Sequence, residues 1–103
     1  MKELVVTLDL DGVTDKAGLM DRCVSVLKFP DWFGRNWDAL VDSLSDISVW
    51  PEEAADGLLV VVRNWQPYAT LRPEEWKVAR EVFSAAMERT PALTVALALG
   101  GSS

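Results

Sequence analysis

Histidine is absent from this chain of 103 residues, and cysteine occurs once, at Cys23. Histidine is the commonest general base near neutral pH and the commonest metal ligand, so its absence excludes Ser-His-Asp, Cys-His and His-zinc sites. A single cysteine cannot form an internal disulfide, and it gives no indication of an oxidising compartment. We therefore expect no metal site and no cofactor, and we interpret Cys23 as an inert thiol in the core.

Positive charge is also scarce, since ten basic residues face sixteen acidic ones and the net charge is −6. This sign repels the phosphate backbone of nucleic acids and attracts basic partners. No apolar run approaches the roughly 18 residues that a membrane-spanning helix needs, and the first residues lack the charged-then-apolar pattern of a signal peptide. We expect no direct nucleic-acid binding, no membrane span, no export signal and a cytoplasmic location.

Half of the residues are hydrophobic, which is enough for one core in a chain of this length. We expect a single domain over residues 1–99 and a disordered tail over residues 100–103, which read Gly-Gly-Ser-Ser. Three short runs rich in Val and Leu predict strands at residues 4–8, 58–62 and 93–99. The runs are mostly continuous rather than alternating, which is typical of buried parallel strands.

Helical spacing of apolar residues predicts three helices between these strands. The first follows a cap at Asp15 and ends at Phe29-Pro30, and the second follows a cap at Asn36 and extends to Ile47. The third begins at Pro73 and stops before Pro91, while residues 65–72 are expected to be irregular and too short for a helix. This order predicts a two-layer α/β fold, with a three-stranded parallel sheet packed against helices.

Acidic residues recur at every fourth position of the second helix, at Asp38, Asp42 and Asp46. This spacing places them in one column, with Leu40 and Leu44 facing inward. The column is either a solvated helix face or a display of negative charge aimed at a cationic surface. Acid/base catalysis by Asp38 and Asp42 would require a buried cleft, which the sequence does not indicate.

Aromatic residues are the second unusual feature, because five of them are tryptophans. Trp37 and Trp76 occupy apolar helix faces and are interpreted as core residues. Trp32 lies in the loop before the acidic helix, where it is a candidate contact for a partner. In the same loop, Gly34 is expected to supply the backbone conformation that leads into the helix. Arg35 pairs with Asp31 or Asp38, or remains solvated.

The segment FPDWFGRNWDALVDSL resembles the signature of the barstar family of ribonuclease inhibitors. In that family the pattern is Pro, an acidic residue, two aromatics, Gly, any residue, Asn, an apolar residue and Asp-Ala-Leu, followed shortly by a further Asp. The matching positions are Pro30, Asp31, Trp32, Phe33, Gly34, Asn36, Trp37, Asp38, Ala39, Leu40 and Asp42.

The resemblance implies a protein that is not an enzyme but blocks a small basic guanyl-specific ribonuclease in a one-to-one complex. It implies that the acidic helix and its preceding loop plug the enzyme's active site, with carboxylates in place of RNA phosphates. Asp42 would be the principal phosphate mimic, Asp38 its acidic neighbour, and Trp32 the aromatic that covers the catalytic centre. The free protein is expected to be a monomer. The expected partner-binding residues are Trp32, Gly34, Asn36, Asp38, Val41, Asp42 and Asp46.

This chain also departs from the family pattern, for example at Ile47, where an aromatic residue often ends the helix. Val41 stands where the family commonly has Trp, and the end of the last helix, where the best-known member has carboxylates, offers only Glu88. These differences suggest a related ribonuclease with a differently shaped rim. The alternative hypothesis is a barstar-like interaction module that binds another basic protein or toxin without inhibiting a nuclease.

Overall fold

A computed structural model describes residues 3–30 and 33–98 of the chain. The predicted tail at residues 100–103 lies outside this part. Within it, no helix is both long enough and apolar enough to cross a membrane. The elements, in chain order, are strand β1 (Leu4–Asp9), helices α1 (Lys16–Leu27) and α2 (Trp37–Ser45), strand β2 (Leu58–Arg63), helices α3 (Gln66–Leu71) and α4 (Pro73–Arg89), and strand β3 (Leu93–Leu97).

The three strands form one parallel sheet in the order β1-β2-β3, which confirms the predicted α/β fold. Register sets Leu8 beside Val62, and Val62 beside Leu97, so that every second residue shares one face. This inner face is covered by the helices, and Leu8 and Val62 are fully buried. The other face is open at the edge strand β1, where Val5 is 57% exposed. The inner face of the sheet is therefore the buried one, whereas the other face is exposed along β1 and half-buried at Leu59 and Val61 of β2.

The core lies between the inner face of the sheet and the helices. Helix α1 packs against β1, and α4 packs against β3, α3 and α2. Helix α1 begins where predicted, because the Asp15 carboxylate accepts a hydrogen bond from the Gly18 amide at 2.9 Å. It ends at Leu27, and Lys28 follows in the left-handed conformation with a φ of 57°. The side chains that α1 buries are Leu19, Met20, Cys23 and Leu27.

The prediction of an irregular segment at residues 65–72 was wrong, because Gln66–Leu71 form helix α3. Pro67 lies in its first turn, where the fixed φ of proline favours a helix and its missing N–H is not needed. Tyr68 is fully buried and donates a hydrogen bond to Glu75 at 2.9 Å. Tertiary burial thus stabilises a helix that is too short to form alone.

Two tryptophans of uncertain role in the sequence pack around these elements. Trp65 stacks on the buried Trp76 with ring centroids 5.2 Å apart, and its indole N–H donates to the Ala98 carbonyl at 2.9 Å. Trp50 is buried, and its indole N–H donates to the Leu44 carbonyl at 3.1 Å. Both rings therefore serve packing, and their polar atoms are satisfied.

Candidate functional site

The candidate site is built on α2, whose start is fixed by the predicted cap. The Asn36 Oδ1 accepts a hydrogen bond from the Ala39 amide at 2.7 Å, and the Asn36 backbone is extended, as in other helix caps. The Asn36 Nδ2 donates to the Gly34 carbonyl at 3.3 Å. The side chain of Asn36 therefore joins the loop to the first turn of α2.

The left-handed residue in this loop is not Gly34 but its neighbour. Arg35 has a φ of 53°, whereas Gly34 does not have a positive φ. A Cβ atom at Gly34 would lie 3.2 Å from the Asn36 Nδ2, which is tighter than most such contacts. Glycine is therefore suited to this position because it makes room for the capping side chain.

Arg35 takes a partner that the sequence did not indicate. Its guanidinium forms an ion pair with Asp21, in the middle of α1, and both side chains are exposed. The Lys16 Nζ lies 5.9 Å from the ring centroid of Trp37. Trp37 is half-buried, so it packs against the core without being enclosed by it. These contacts tie the beginning of α2 to the first half of α1.

The inward face of α2 is anchored in the core and its outward face is acidic. Leu40 is fully buried and Leu44 nearly so. Asp38 and Asp42, one turn apart, are exposed to solvent. Val41 is half-buried beside them, and its carbonyl accepts a hydrogen bond from the Ser45 hydroxyl. A helix held by its apolar face thus presents two carboxylates on a common outer surface.

The column of three carboxylates predicted for α2 is shortened to two, because the helix ends at Ser45. Asp46 is the extended residue that follows the helix. Its carboxylate accepts hydrogen bonds from the Ser48 amide at 3.0 Å and the Ser48 hydroxyl at 2.6 Å, and so caps a short 3-10 turn at Ile47–Val49. Because Asp46 lies beyond the end of the helix, its carboxylate is not in line with those of Asp38 and Asp42 and instead accepts hydrogen bonds from Ser48.

Trp32, the aromatic predicted to contact a partner, lies outside the described residues, as does Asp31. The residues on either side of them are well anchored. Phe29 and Phe33 are buried, with ring centroids 4.9 Å apart, and the Phe33 amide donates to the Pro30 carbonyl at 3.0 Å. The two phenylalanines therefore hold the described chain in place on either side of residues 31–32.

A basic residue of α4 contacts the acidic face of α2, and the sequence pattern did not predict this contact. The Arg89 Nη1 donates to the Asp42 Oδ1 at 3.0 Å, across 47 positions of sequence. Glu88, the acidic residue considered for this place, is exposed and lines a shallow depression along α4 with Lys77 and Arg80. The sequence did show an arginine in the last turn of this helix. A cation is favourable at the C-terminal end of any helix, so the arginine did not by itself indicate a contact with Asp42.

A comparison with family models matches residues 3–99 to the family described as Barstar (barnase inhibitor). The chain belongs to the barstar family. Nearly the whole chain is matched, and the three-stranded parallel sheet with four helices is consistent with this membership. A search of curated proteins found no match to this chain. The family identification thus rests on nearly the whole chain and not only on the segment from Phe29 to Leu44.

Membership of the barstar family favours a site that binds another protein over a catalytic site. Within residues 3–30 and 33–98, no group of three or more cysteine or acidic side chains is placed to hold a metal ion. The acidic side chains of α2 lie on an open helix surface rather than in a cleft. The arrangement can offer carboxylates to a cationic partner without any covalent chemistry.

Proposed function

We propose that this protein inhibits a small basic guanyl-specific ribonuclease by inserting α2 and the preceding loop into its active site. The observation that carries the proposal is the pair of exposed carboxylates, Asp38 and Asp42, on a helix whose opposite face is buried. Membership of a family described by barnase inhibition supports the same conclusion. The carboxylates would occupy the positions of two RNA phosphates, and Trp32 would cover the catalytic centre.

The mechanism is competition with RNA for a cationic cleft. A ribonuclease must hold a polyanion, so the groups that line its cleft pair equally well with carboxylates. The net charge of −6 adds long-range attraction, which speeds encounter at low salt. The anchoring of Leu40 and Leu44 keeps α2 in its bound shape before binding, so little entropy is lost on association.

The expected complex contains one inhibitor and one enzyme and buries about 1,600 Å² in total. Gly34, Asn36 and Val41 would contribute contacts around the two carboxylates, and Asp46 would lie at the edge of the surface. The protein is proposed to be a monomer when free and to act in the cytoplasm of the producing cell.

The decisive experiment is a titration of the purified protein into several guanyl-specific ribonucleases, barnase included, with RNA cleavage as the readout. Asp42→Ala is expected to weaken inhibition by several kcal/mol, roughly a thousandfold, because it leaves cations of the enzyme buried without a partner. The substitution should barely affect stability, since the ion pair that it removes is exposed.

Glu74→Ala is the matched control, because it also removes one exposed acidic charge. Glu74 lies at the opposite end of α4 from Arg89, about 22 Å away along the helix axis. The Glu74→Ala protein should inhibit within about threefold of the unaltered protein, since salt screens the interaction between charges that are more than about 8 Å apart. Equal inhibition by Asp42→Ala and the unaltered protein would show that another surface makes the contact.

A second candidate function is a barstar-like interaction module that binds another basic protein without inhibiting a nuclease. The observation in its favour is the Arg89 guanidinium against Asp42, together with Val41 at a position where the family commonly has Trp. A gene for a secreted basic nuclease next to the gene for this protein would favour the inhibitor. Tight binding of a basic protein that has no nuclease activity, with no ribonuclease inhibited, would favour the module.

A further inference from the structure

Arg89 lies within the surface that is proposed to meet the enzyme. Its guanidinium donates to the Asp42 carboxylate at 3.0 Å, and the two side chains are 57% and 74% exposed. Neither group is enclosed by the protein, so a partner can reach both. A partner that pairs with Asp42 must therefore also accommodate the guanidinium of Arg89.

The packing of the fold holds the backbone of Arg89 in this position. The next residue, Thr90, is buried, and its hydroxyl donates to the Ser45 carbonyl at 2.8 Å. The Thr90 amide donates to the carbonyl of Ala86, which is fully buried. These contacts fasten the end of α4 to the end of α2. The position of Arg89 next to Asp42 is thus set by tertiary structure.

We infer that Arg89 determines which ribonuclease is bound, by excluding a cleft that is uniformly cationic opposite Asp42 and selecting one that also carries a carboxylate there. This inference rests on the proposed function. Only one of the five N–H donors of the Arg89 guanidinium is needed for the observed bond to Asp42. The remaining donors are available to an acceptor on the partner.

Asp42 and Arg89 present their charges to a partner as a pair. Asp42 alone offers one negative charge, whereas Asp42 with Arg89 has no net charge and a cation on one side. A lysine or arginine that approaches Asp42 from a purely basic cleft would come close to the guanidinium, and such like-charge contacts discriminate strongly between partners. A carboxylate in the cleft would remove this repulsion by pairing with Arg89, while a neighbouring cation pairs with Asp42.

The test measures inhibition of barnase and of several other guanyl-specific ribonucleases by the unaltered protein and by Arg89→Glu, Arg89→Ala, Arg89→Lys and Arg80→Glu. Arg89→Glu should change inhibition by at least about tenfold and in opposite directions for the two kinds of cleft, weakening it where a carboxylate faces Arg89 and strengthening it where only cations do, with Arg89→Ala intermediate. Arg89→Lys keeps the charge and should behave as the unaltered protein. Arg80→Glu makes the same change in net charge about 13 Å earlier on α4 and should change inhibition less than about threefold.

Thermal unfolding of each variant shows whether it is folded, and Arg89 is exposed enough for all of its substitutions to be tolerated. If Arg89→Glu changes the inhibition of every ribonuclease by the same factor, or by no more than Arg80→Glu does, the inference is wrong, including the case in which none of the enzymes is inhibited. The proposed function is decided separately, by Asp42→Ala on the wider set of ribonucleases, so either can fail without the other.

Discussion

The capping side chain of Asn36 links the stability of α2 to the geometry of the acidic surface. Asn36→Ala removes the acceptor for the Ala39 amide, at 2.7 Å, and the donor to the Gly34 carbonyl, at 3.3 Å. Loss of a helix cap costs about 1 kcal/mol. The second hydrogen bond is long and exposed, and it adds at most about 0.5 kcal/mol. We therefore expect the free energy of unfolding to fall by about 1–1.5 kcal/mol.

Urea unfolding followed by tryptophan fluorescence measures this change. The midpoint should fall while the slope with urea is unchanged, because the surface exposed on unfolding is the same. In a domain of this size the midpoint of thermal unfolding should fall by roughly 4–8 °C for each kcal/mol. Asn36→Asp and Asn36→Ser keep an oxygen acceptor, so both should retain most of the stability that Asn36→Ala loses.

Two results would refute this reasoning. One is an Asn36→Ala protein as stable as the unaltered protein to within about 0.3 kcal/mol. The other is an Asn36→Asp protein that is destabilised as much as Asn36→Ala, which would assign the effect to the bond with Gly34. In inhibition assays, Asn36→Ala should lose less than Asp42→Ala, because it loosens the first turn of α2 without removing a carboxylate.

Gly34→Ala should lower the free energy of unfolding by less than about 1 kcal/mol, by pressing on the Asn36 amide, and a larger loss in urea unfolding would contradict this. Burial raises the pKa of the Cys23 thiol to about 12, so a thiol reagent at neutral pH should label it only after unfolding, and rapid labelling of the folded protein would be inconsistent with this. Hydrogen bonds from Asn64 and the Asp11 amide lower the pKa of the Asp9 carboxyl below its ordinary value of 3.8. The charged form of Asp9 therefore stabilises the folded state at pH values above 3.8. This stabilisation is lost as the pH falls through the lowered pKa. The stability difference between the unaltered protein and Asp9→Asn should therefore shrink on acidification, and a difference independent of pH would rule out this linkage.

Local sequence signals predicted the elements that carry the site. Asp15 and Asn36 were identified as caps because a short polar side chain before an apolar helical pattern can accept from the first turn, and both do so. The four-residue spacing of Asp38 and Asp42 placed them on one face, and Leu40 on the opposite one, because a helix repeats every 3.6 residues. These features depend on neighbours within a few positions.

Other features of the site depend on contacts that local patterns do not contain. Asp46 follows the helical spacing, yet its carboxylate caps the next turn, so the end of α2 was decided by competition between two hydrogen-bonding choices. Helix α3 forms where the sequence predicted an irregular segment, because burial of Tyr68 stabilises a helix too short to form alone.

The parallel strands, the capped helices, the negative charge and the segment typical of the family can all be predicted from the order of residues. The contacts of Arg89 with Asp42 and of Asp21 with Arg35 instead depend on how the helices pack. The reason is that helix periodicity fixes which way a side chain faces, whereas the angle and offset at which two helices pack depend on the whole core. The charge that a partner meets at Asp42 is therefore a property of two helices together.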